Sequence, residues 1–221
     1  MSSYELLLID YDGTMAETRP AILKGLSEAF RETGHQAPSK EDMAATLGHG
    51  GTLADFFHMA VPNATMQDVQ DFVRIYRAYY SVADEEDTVL FPDVTETLKQ
   101  LGEAGFRLVV ISNKLSITLT KSLERFGIAS FFEAVIGAEE GKARKPDPAL
   151  YRERLQPLYP QIEPGNMLMV GDTLADLQFA KAAHMASCWA SYGHGVEAAC
   201  LAEKPDCQIR HFSELPALLG C

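Results

Sequence analysis

Basic residues are in short supply in this chain. Lys and Arg together number 19 against 31 Asp and Glu, for a formal net charge of −12. That balance excludes a nucleic-acid sleeve, because a phosphate backbone is held by a basic surface. A small anionic ligand needs positive charge built into its own site, and the remaining acidity reads as solubility. Cysteine is also sparse. Cys188, Cys200, Cys207 and Cys221 all fall in the last third, and no two form the C-x-x-C pair typical of a structural zinc site. They read as reduced, mostly structural thiols of a reducing compartment. No apolar run approaches the length of a membrane span. The first run, preceded by Glu5, is too short for the hydrophobic segment of a secretory signal. The expected location is the cytoplasm, with neither nucleic acid nor membrane as partner, and the expected state is a monomer or a homodimer. Internal repeats and low-complexity tracts are absent as well.

What is present is a core-forming composition, 47% hydrophobic over 221 residues, enough for one large domain or a domain with an insert. The run Leu6-Leu7-Leu8-Ile9 leads straight into Asp10-Tyr11-Asp12-Gly13-Thr14. A short apolar run bounded by turn residues reads as a strand buried on both faces. Sites in open parallel sheets lie past the carboxyl ends of the strands, which is where these two acids fall. Two like charges this close are costly unless something positive neutralises them, as a bound cation does.

After Thr14 the pattern becomes helical. Thr18 and Pro20 open a helix with Ile22, Leu23, Leu26, Ala29 and Phe30 on one face, closed by Gly34. Ser39 with Asp42, and Thr52 with Asp55, are capping pairs on either side of the break Gly48-His49-Gly50-Gly51. A longer helix runs from about Met66 to Val82, and Asp84-Glu85-Glu86-Asp87 reads as a solvated hinge or loop. No strand is expected between Ala16 and Asp87. Beyond it strands and helices alternate. Asp93 opens a helix to Gly105, strands fall at Leu108 to Ile111 and Ala134 to Ile136, and a helix runs from Asp147 toward Leu158. Further strands fall at Met167 to Val170, Cys188 to Ala190 and Cys207 to Ile209, and Ser213 caps a last helix. Trp189 is expected in the core. Strands spaced by helices imply crossovers and a parallel sheet. The fold expected is α/β: a Rossmann-like parallel core of residues 1–15 and 88–221, interrupted by an all-helical cap of residues 16–87.

Four strand ends carry polar residues in order: Asp10 and Asp12, then Ser112, then Lys145, then Asp172 with Asp176. Each alone is a modest signal, since a strand-terminal Ser is commonly a turn residue and Gly-Asp a common turn. Asp10-x-Asp12 is not an EF-hand loop, whose glycine stands sixth, whereas Gly13 is fourth. Together they define a chemistry. An octahedral oxygen-seeking cation, Mg²⁺, fits between Asp10 and Asp172. Asp10 can attack phosphorus, and Asp12 can protonate the leaving alkoxide and then deprotonate water. Ser112 can hydrogen-bond a phosphoryl oxygen, Lys145 can neutralise charge on Asp10 and the transferring group, and Gly13 lets backbone N–H groups approach that group.

Asp10-Tyr11-Asp12-Gly13-Thr14, Ile111-Ser112-Asn113-Lys114, Lys145-Pro146-Asp147-Pro148 and Gly171-Asp172-Thr173-Leu174-Ala175-Asp176 resemble the four motifs of the haloacid dehalogenase superfamily. Phe91-Pro92-Asp93-Val94 and Ser191-Tyr192-Gly193 are similar to its phosphoglycolate phosphatase-like branch, which carries a helical cap after the first motif. The resemblance implies a phosphoric monoester hydrolase acting on a small phosphorylated metabolite, with Asp10 as nucleophile and Asp12 as acid/base. It implies Mg²⁺ held by the Asp10 carboxylate, the Asp12 carbonyl and Asp172, with Asp176 supporting from behind. Gly13, Thr14, Ser112 and Asn113 are then the phosphoryl-binding positions. A β-phosphoglucomutase-like phosphomutase and a non-phosphoryl hydrolase of the same superfamily are the alternatives. Glu17 stands at the cap hinge, where the superfamily more often has Asp-Ser. His49 either contacts the leaving group or is exposed on a turn, and Arg144 either touches substrate or is a solvated loop charge. His58, His184, His194 and His211 are expected in packing or on the surface.

Overall fold

Strand β1, Leu6–Ile9, is the centre of the molecule: all four of its side chains are fully buried. A computed structural model describes residues 4–221, so residues 1–3 of the expected 1–15 segment lie outside the described residues. Beyond β1 the chain forms β2 (Ala16–Glu17), α1 (Arg19–Glu32), α2 (Lys40–Gly48), α3 (Leu53–Ala60), α4 (Met66–Asp87), β3 (Val89–Leu90) and α5 (Val94–Glu103). The second half adds β4 (Arg107–Leu115), α6 (Ser116–Arg125), β5 (Ala134–Ala138), β6 (Met167–Gly171), α7 (Leu174–Ala182), β7 (Ala186–Ala190), α8 (Glu197–Ala202), β8 (Cys207–Ile209) and α9 (Leu215–Leu219).

Six of these strands form one parallel sheet in the order β5-β4-β1-β6-β7-β8, as the α/β reading requires. Leu8 of β1 lies between Val109 of β4 and Met169 of β6. The period-two alternation of a strand sends Leu6 and Leu8 to one face and Leu7 and Ile9 to the other. Leu6 and Leu8 pack with Leu155, Tyr159 and Phe179, whereas Leu7 and Ile9 pack with Leu98, Leu101, Leu119 and Phe212. Because both faces are covered, β1 reads as an unbroken apolar run.

Helices α1–α4 carry their own core of Leu26, Phe30, Phe56, Phe57, Phe72 and Tyr76. Ser39 accepts a hydrogen bond from the Asp42 N–H, and Thr52–Asp55 and Thr65–Asp68 are reciprocal capping boxes. No helix among the described residues is long and apolar enough to cross a membrane.

Several local expectations are corrected. Ala16–Glu17, inside the stretch where no strand is expected, is a strand, paired antiparallel with Val89–Leu90 where the chain leaves and re-enters the sheet layer. Two-residue strands are too short to show a readable period. Helix α4 continues to Asp87, so the acidic run is its last turn rather than a loop, and Asp84 within it is only 3% exposed. Thr18 precedes α1 but makes no capping bond, and its hydroxyl is buried without a partner. The helix expected after Asp147 is present but short, spanning 149–155, and its Tyr151–Leu155 part is a π-helix. Ser213 lies in a short 3₁₀ turn and does not cap α9. Trp189 is buried, as expected.

Phe72 stacks on Phe57 at 4.6 Å and meets Phe30 at 4.7 Å between ring centroids. Phe72→Ala should therefore lower unfolding free energy by about 3–5 kcal/mol in urea titration. A change below about 1 kcal/mol contradicts its place in that core.

Candidate active site

The turn after β1 puts the first two acids at the sheet's carboxyl edge. The Asp10 N–H donates to the Val170 carbonyl at 2.9 Å, extending the ladder by one residue. The chain then reverses tightly, with the Ala16 N–H on the Tyr11 carbonyl at 3.0 Å and the Gly13 N–H on the Ala16 carbonyl at 2.8 Å. Gly13 has φ +80°, and a Cβ there would collide with the Asp172 carboxylate. Only glycine satisfies both the backbone and the space.

Lys145 ties three of the strand ends together. Its ammonium, 4% exposed, donates to Asp10 Oδ1 at 2.7 Å, Asp176 Oδ1 at 2.6 Å and the Ile111 carbonyl at 2.8 Å. All three of its donors are used. The Asn113 amide donates to the Lys145 carbonyl at 2.9 Å and holds that loop against the end of β4. Asp176 Oδ2 accepts from the Thr173 N–H and hydroxyl, a capping box that seats it at the start of α7. Asp172 is fully buried, with Oδ1 accepting from the Thr14 hydroxyl at 3.1 Å and Oδ2 from the His194 N–H at 2.6 Å.

The structure thus brings Asp10, Ser112, Lys145, Asp172 and Asp176 together as buried groups, with Asp12 and Asn113 beside them on one cavity wall. Gly13 and Thr14 are different from expectation. Their N–H groups are bonded within the turn, and the Thr14 hydroxyl is committed to Asp172, so both build the turn rather than face a phosphoryl group. His49 is exposed and does not line the cavity, although Gly50, Gly51 and Thr52 of the same break do. Its position on the helix break turns the side chain to solvent. Arg144 lines the cavity.

Three neighbours of the acids, His194, Lys114 and Asp84, carry no assigned role in the sequence. His194 is 6% exposed, and its Nε2 lies 2.9 Å from Glu17 Oε1. Burial works against its charged form, but Glu17 and Asp172 outweigh that and hold the imidazole above its ordinary value. Glu17 at the hinge is held below its ordinary value, burial being outweighed by His194 and the Arg19 N–H. The other histidines named above, His58, His184 and His211, are exposed. Lys114 and Asp84 form a buried ion pair at 2.8 Å. Lys114 was visible as the last residue of the Ser-Asn-Lys turn, but Asp84 had no signal, because its acidic neighbours Glu85 and Glu86 are exposed.

Carboxylate oxygens of Asp10, Asp172 and Asp176 lie within 4.8 Å of one another. Burial pushes Asp10 up to about 8, aided by Asp176, Asp172 and Asp12 and opposed by Lys145. Burial, with Asp176, pushes Asp172 up to about 6. Lys145 stays charged: burial lowers it, but Asp10 and Asp176 more than compensate. Three buried acids against one ammonium leave a net negative pocket of oxygen donors, which fits a hard divalent cation. Asp172 and Asp176 each have both oxygens in hydrogen bonds, to Thr14 and His194 and to Lys145 and Thr173, and each oxygen keeps a second lone pair that a cation could use.

Above this wall is a cavity of about 870 Å³, closed on the opposite side by Ile22, Leu47, Phe56 and Tyr76 from helices α1–α4. The Val196 N–H reaches the Gly48 carbonyl at 3.4 Å, so the break after α2 touches the loop that carries His194.

Comparison with known proteins agrees with this arrangement. The model of the family described as haloacid dehalogenase-like hydrolase matches residues 7–190. A protein named phosphoglycolate phosphatase from Salmonella typhimurium is 30% identical over 233 residues, covering 96% of this chain and 90% of its own. Another of that name from Vibrio parahaemolyticus is 28% identical over 216 residues, covering 96% and 94%. The solved structure of a haloacid dehalogenase-like family hydrolase from Streptococcus pneumoniae superposes with a TM-score of 0.86 at 23% identity, covering 99% of each chain.

Asp10 binds its proton more tightly in the folded chain than at its ordinary 3.8, so its contribution to stability is complete below that value and is lost as pH rises toward about 8. A divalent cation bound at Asp10 would take the place of that proton. The rise in melting temperature on adding Mg²⁺ should therefore be larger at about pH 8 than at about pH 6. An equal or smaller rise at the higher pH contradicts the assignment.

Proposed function

Because the chain belongs to the haloacid dehalogenase-like hydrolase family, we propose that it is a Mg²⁺-dependent phosphatase of small phosphate monoesters, like a phosphoglycolate phosphatase, working through an aspartyl-phosphate on Asp10. The observation that carries this reading is the buried Lys145 ammonium between Asp10 and Asp176 at the foot of a cavity. Lys145 lies against Asp10 and would compensate the charge of its ionised form at the point where a phosphoryl group enters.

In the first step an Asp10 carboxylate oxygen attacks phosphorus and the bond from phosphorus to the ester oxygen breaks. Asp12 delivers its proton to the departing alkoxide. In the second step water attacks the phosphorus of the aspartyl-phosphate, Asp12 takes the proton, and inorganic phosphate and the Asp10 carboxylate are regenerated. Ser112 and Asn113 hold phosphoryl oxygens, and Lys145 offsets the charge that Asp10 and the transferring group share. Mg²⁺, held by the Asp10 and Asp172 carboxylates and the Asp12 carbonyl, supplies further charge neutralisation when bound. Asp176 orients Lys145 from behind. Helices α1–α4, residues 16–87, serve as the cap over the core of residues 1–15 and 88–221. They exclude water and choose the leaving group. The four free cysteines suit a reducing cytoplasm.

Purified protein should release phosphate from an aryl phosphate and from phosphoglycolate only with Mg²⁺ present, and a chelator should stop it. Asp10→Asn should lower kcat by more than about 1,000-fold while the circular dichroism spectrum is unchanged. Full activity in that variant removes Asp10 from the nucleophile's place.

A further inference from the structure

A second buried ammonium faces the other acid of the first turn. Lys114 lies at the end of β4, its side chain 2% exposed, and donates to Asp12 Oδ1 at 3.3 Å, to Asp84 Oδ1 at 2.8 Å and to the Tyr80 hydroxyl. It also sits 4.3 Å from the centroid of the Tyr80 ring. Asp84 is itself fully engaged. Besides Lys114 it accepts from the Tyr80 hydroxyl at 3.0 Å, the Thr88 hydroxyl at 3.1 Å and the Ser122 hydroxyl. Arg125 donates to its backbone carbonyl at 2.8 Å. Burial works to raise Asp84, but Lys114 outweighs it and the carboxyl stays below its ordinary value.

This is a costly cluster if it serves packing alone, because a buried ion pair is commonly no more stable than the apolar groups that could replace it. Its geometry suggests another use. Lys145 serves Asp10 and Asp176, while Lys114 serves Asp12 and Asp84, so each acid of the first turn has its own ammonium. Asp84 belongs to the last turn of α4, in the helical layer, and Asp12 belongs to the sheet layer. We propose that Lys114 is a positioning residue that holds the Asp12 carboxyl toward the leaving oxygen, and that Asp84 fixes Lys114 for this task from the helical layer. The inference rests on the reading of Asp12 as proton donor.

Leaving groups separate positioning from mere structural support. An alkyl phosphate needs a proton on its departing oxygen, whereas p-nitrophenolate leaves without one. kcat/KM reports the step that forms the aspartyl-phosphate and is compared for the two esters. Lys114→Met should lower it about 100-fold for the alkyl ester, and less than about 5-fold for p-nitrophenyl phosphate, with Lys114→Arg recovering part of the loss. Since Lys114→Met leaves Asp84 buried and unpaired, Lys114→Met with Asp84→Asn removes both charges and keeps the fold in balance. That double variant should show the same selective loss. Equal losses on both esters, or no loss, in a folded double variant overturn the positioning role. If Asp12→Asn shows the selective loss and the double variant does not, only this inference fails. Wild-type protein that cleaves neither ester overturns the phosphatase reading, and this inference with it.

Discussion

The ammonium of Lys145, buried among Asp10, Asp176 and the Ile111 carbonyl, is the interaction on which the rest of the structure depends. Bringing ions out of water costs several kcal/mol each unless partners of good geometry replace the lost hydration. Here every donor of the lysine is satisfied, and each acceptor comes from a different part of the chain: the residue after β1, the middle of β4 and the first turn of α7. The contact therefore does more than neutralise charge. It draws the carboxyl ends of neighbouring strands to one point, and the parallel order β4-β1-β6 makes that point geometrically available. The acids outnumber the ammonium there, and this imbalance fits a divalent cation.

The same logic repeats one step further out. Asp172 is held by Thr14 and the His194 N–H, and His194 is held by Glu17 at the crossing between layers. Asp12 is held by Lys114, which is held by Asp84 at the end of α4. Both chains of contact run from the sheet's reactive edge to the two short strands, β2 and β3, through which the helical layer is attached. The layer that closes the cavity is thus joined to the acids by buried polar contacts as well as by backbone.

Much of this was legible in the residues. The unbroken run Leu6–Ile9 announces a strand covered on both faces, and the polar residues following β1, β4 and β6 announce where the sheet's edge is reactive. The capping pairs Ser39–Asp42 and Thr52–Asp55 mark helix starts because their chemistry is local. What stayed hidden depends on contacts distant in sequence. Asp84 looks like its solvated neighbours until Lys114, thirty residues later, turns out to lie against it. His194 carries no local pattern, and its importance comes from Glu17, 177 residues away. The resemblance makes Gly13 and Thr14 ligand-facing, whereas their polar groups close the turn and hold Asp172. His49 shows the converse, a suggestive residue whose helix break points it to solvent.

The central claim is that Asp10 becomes covalently phosphorylated. The direct measurement uses Asp12→Asn, which retains Asp10 but lacks the group proposed to activate water. Mixed with Mg²⁺ and an excess of p-nitrophenyl phosphate and then acid-quenched, it should carry one phosphoryl group per chain. Peptide mass spectrometry should place that group on Asp10, and hydroxylamine should remove it. Release of a stoichiometric burst of p-nitrophenolate with no phosphoryl group on Asp10, or with the group on another residue, would contradict the account.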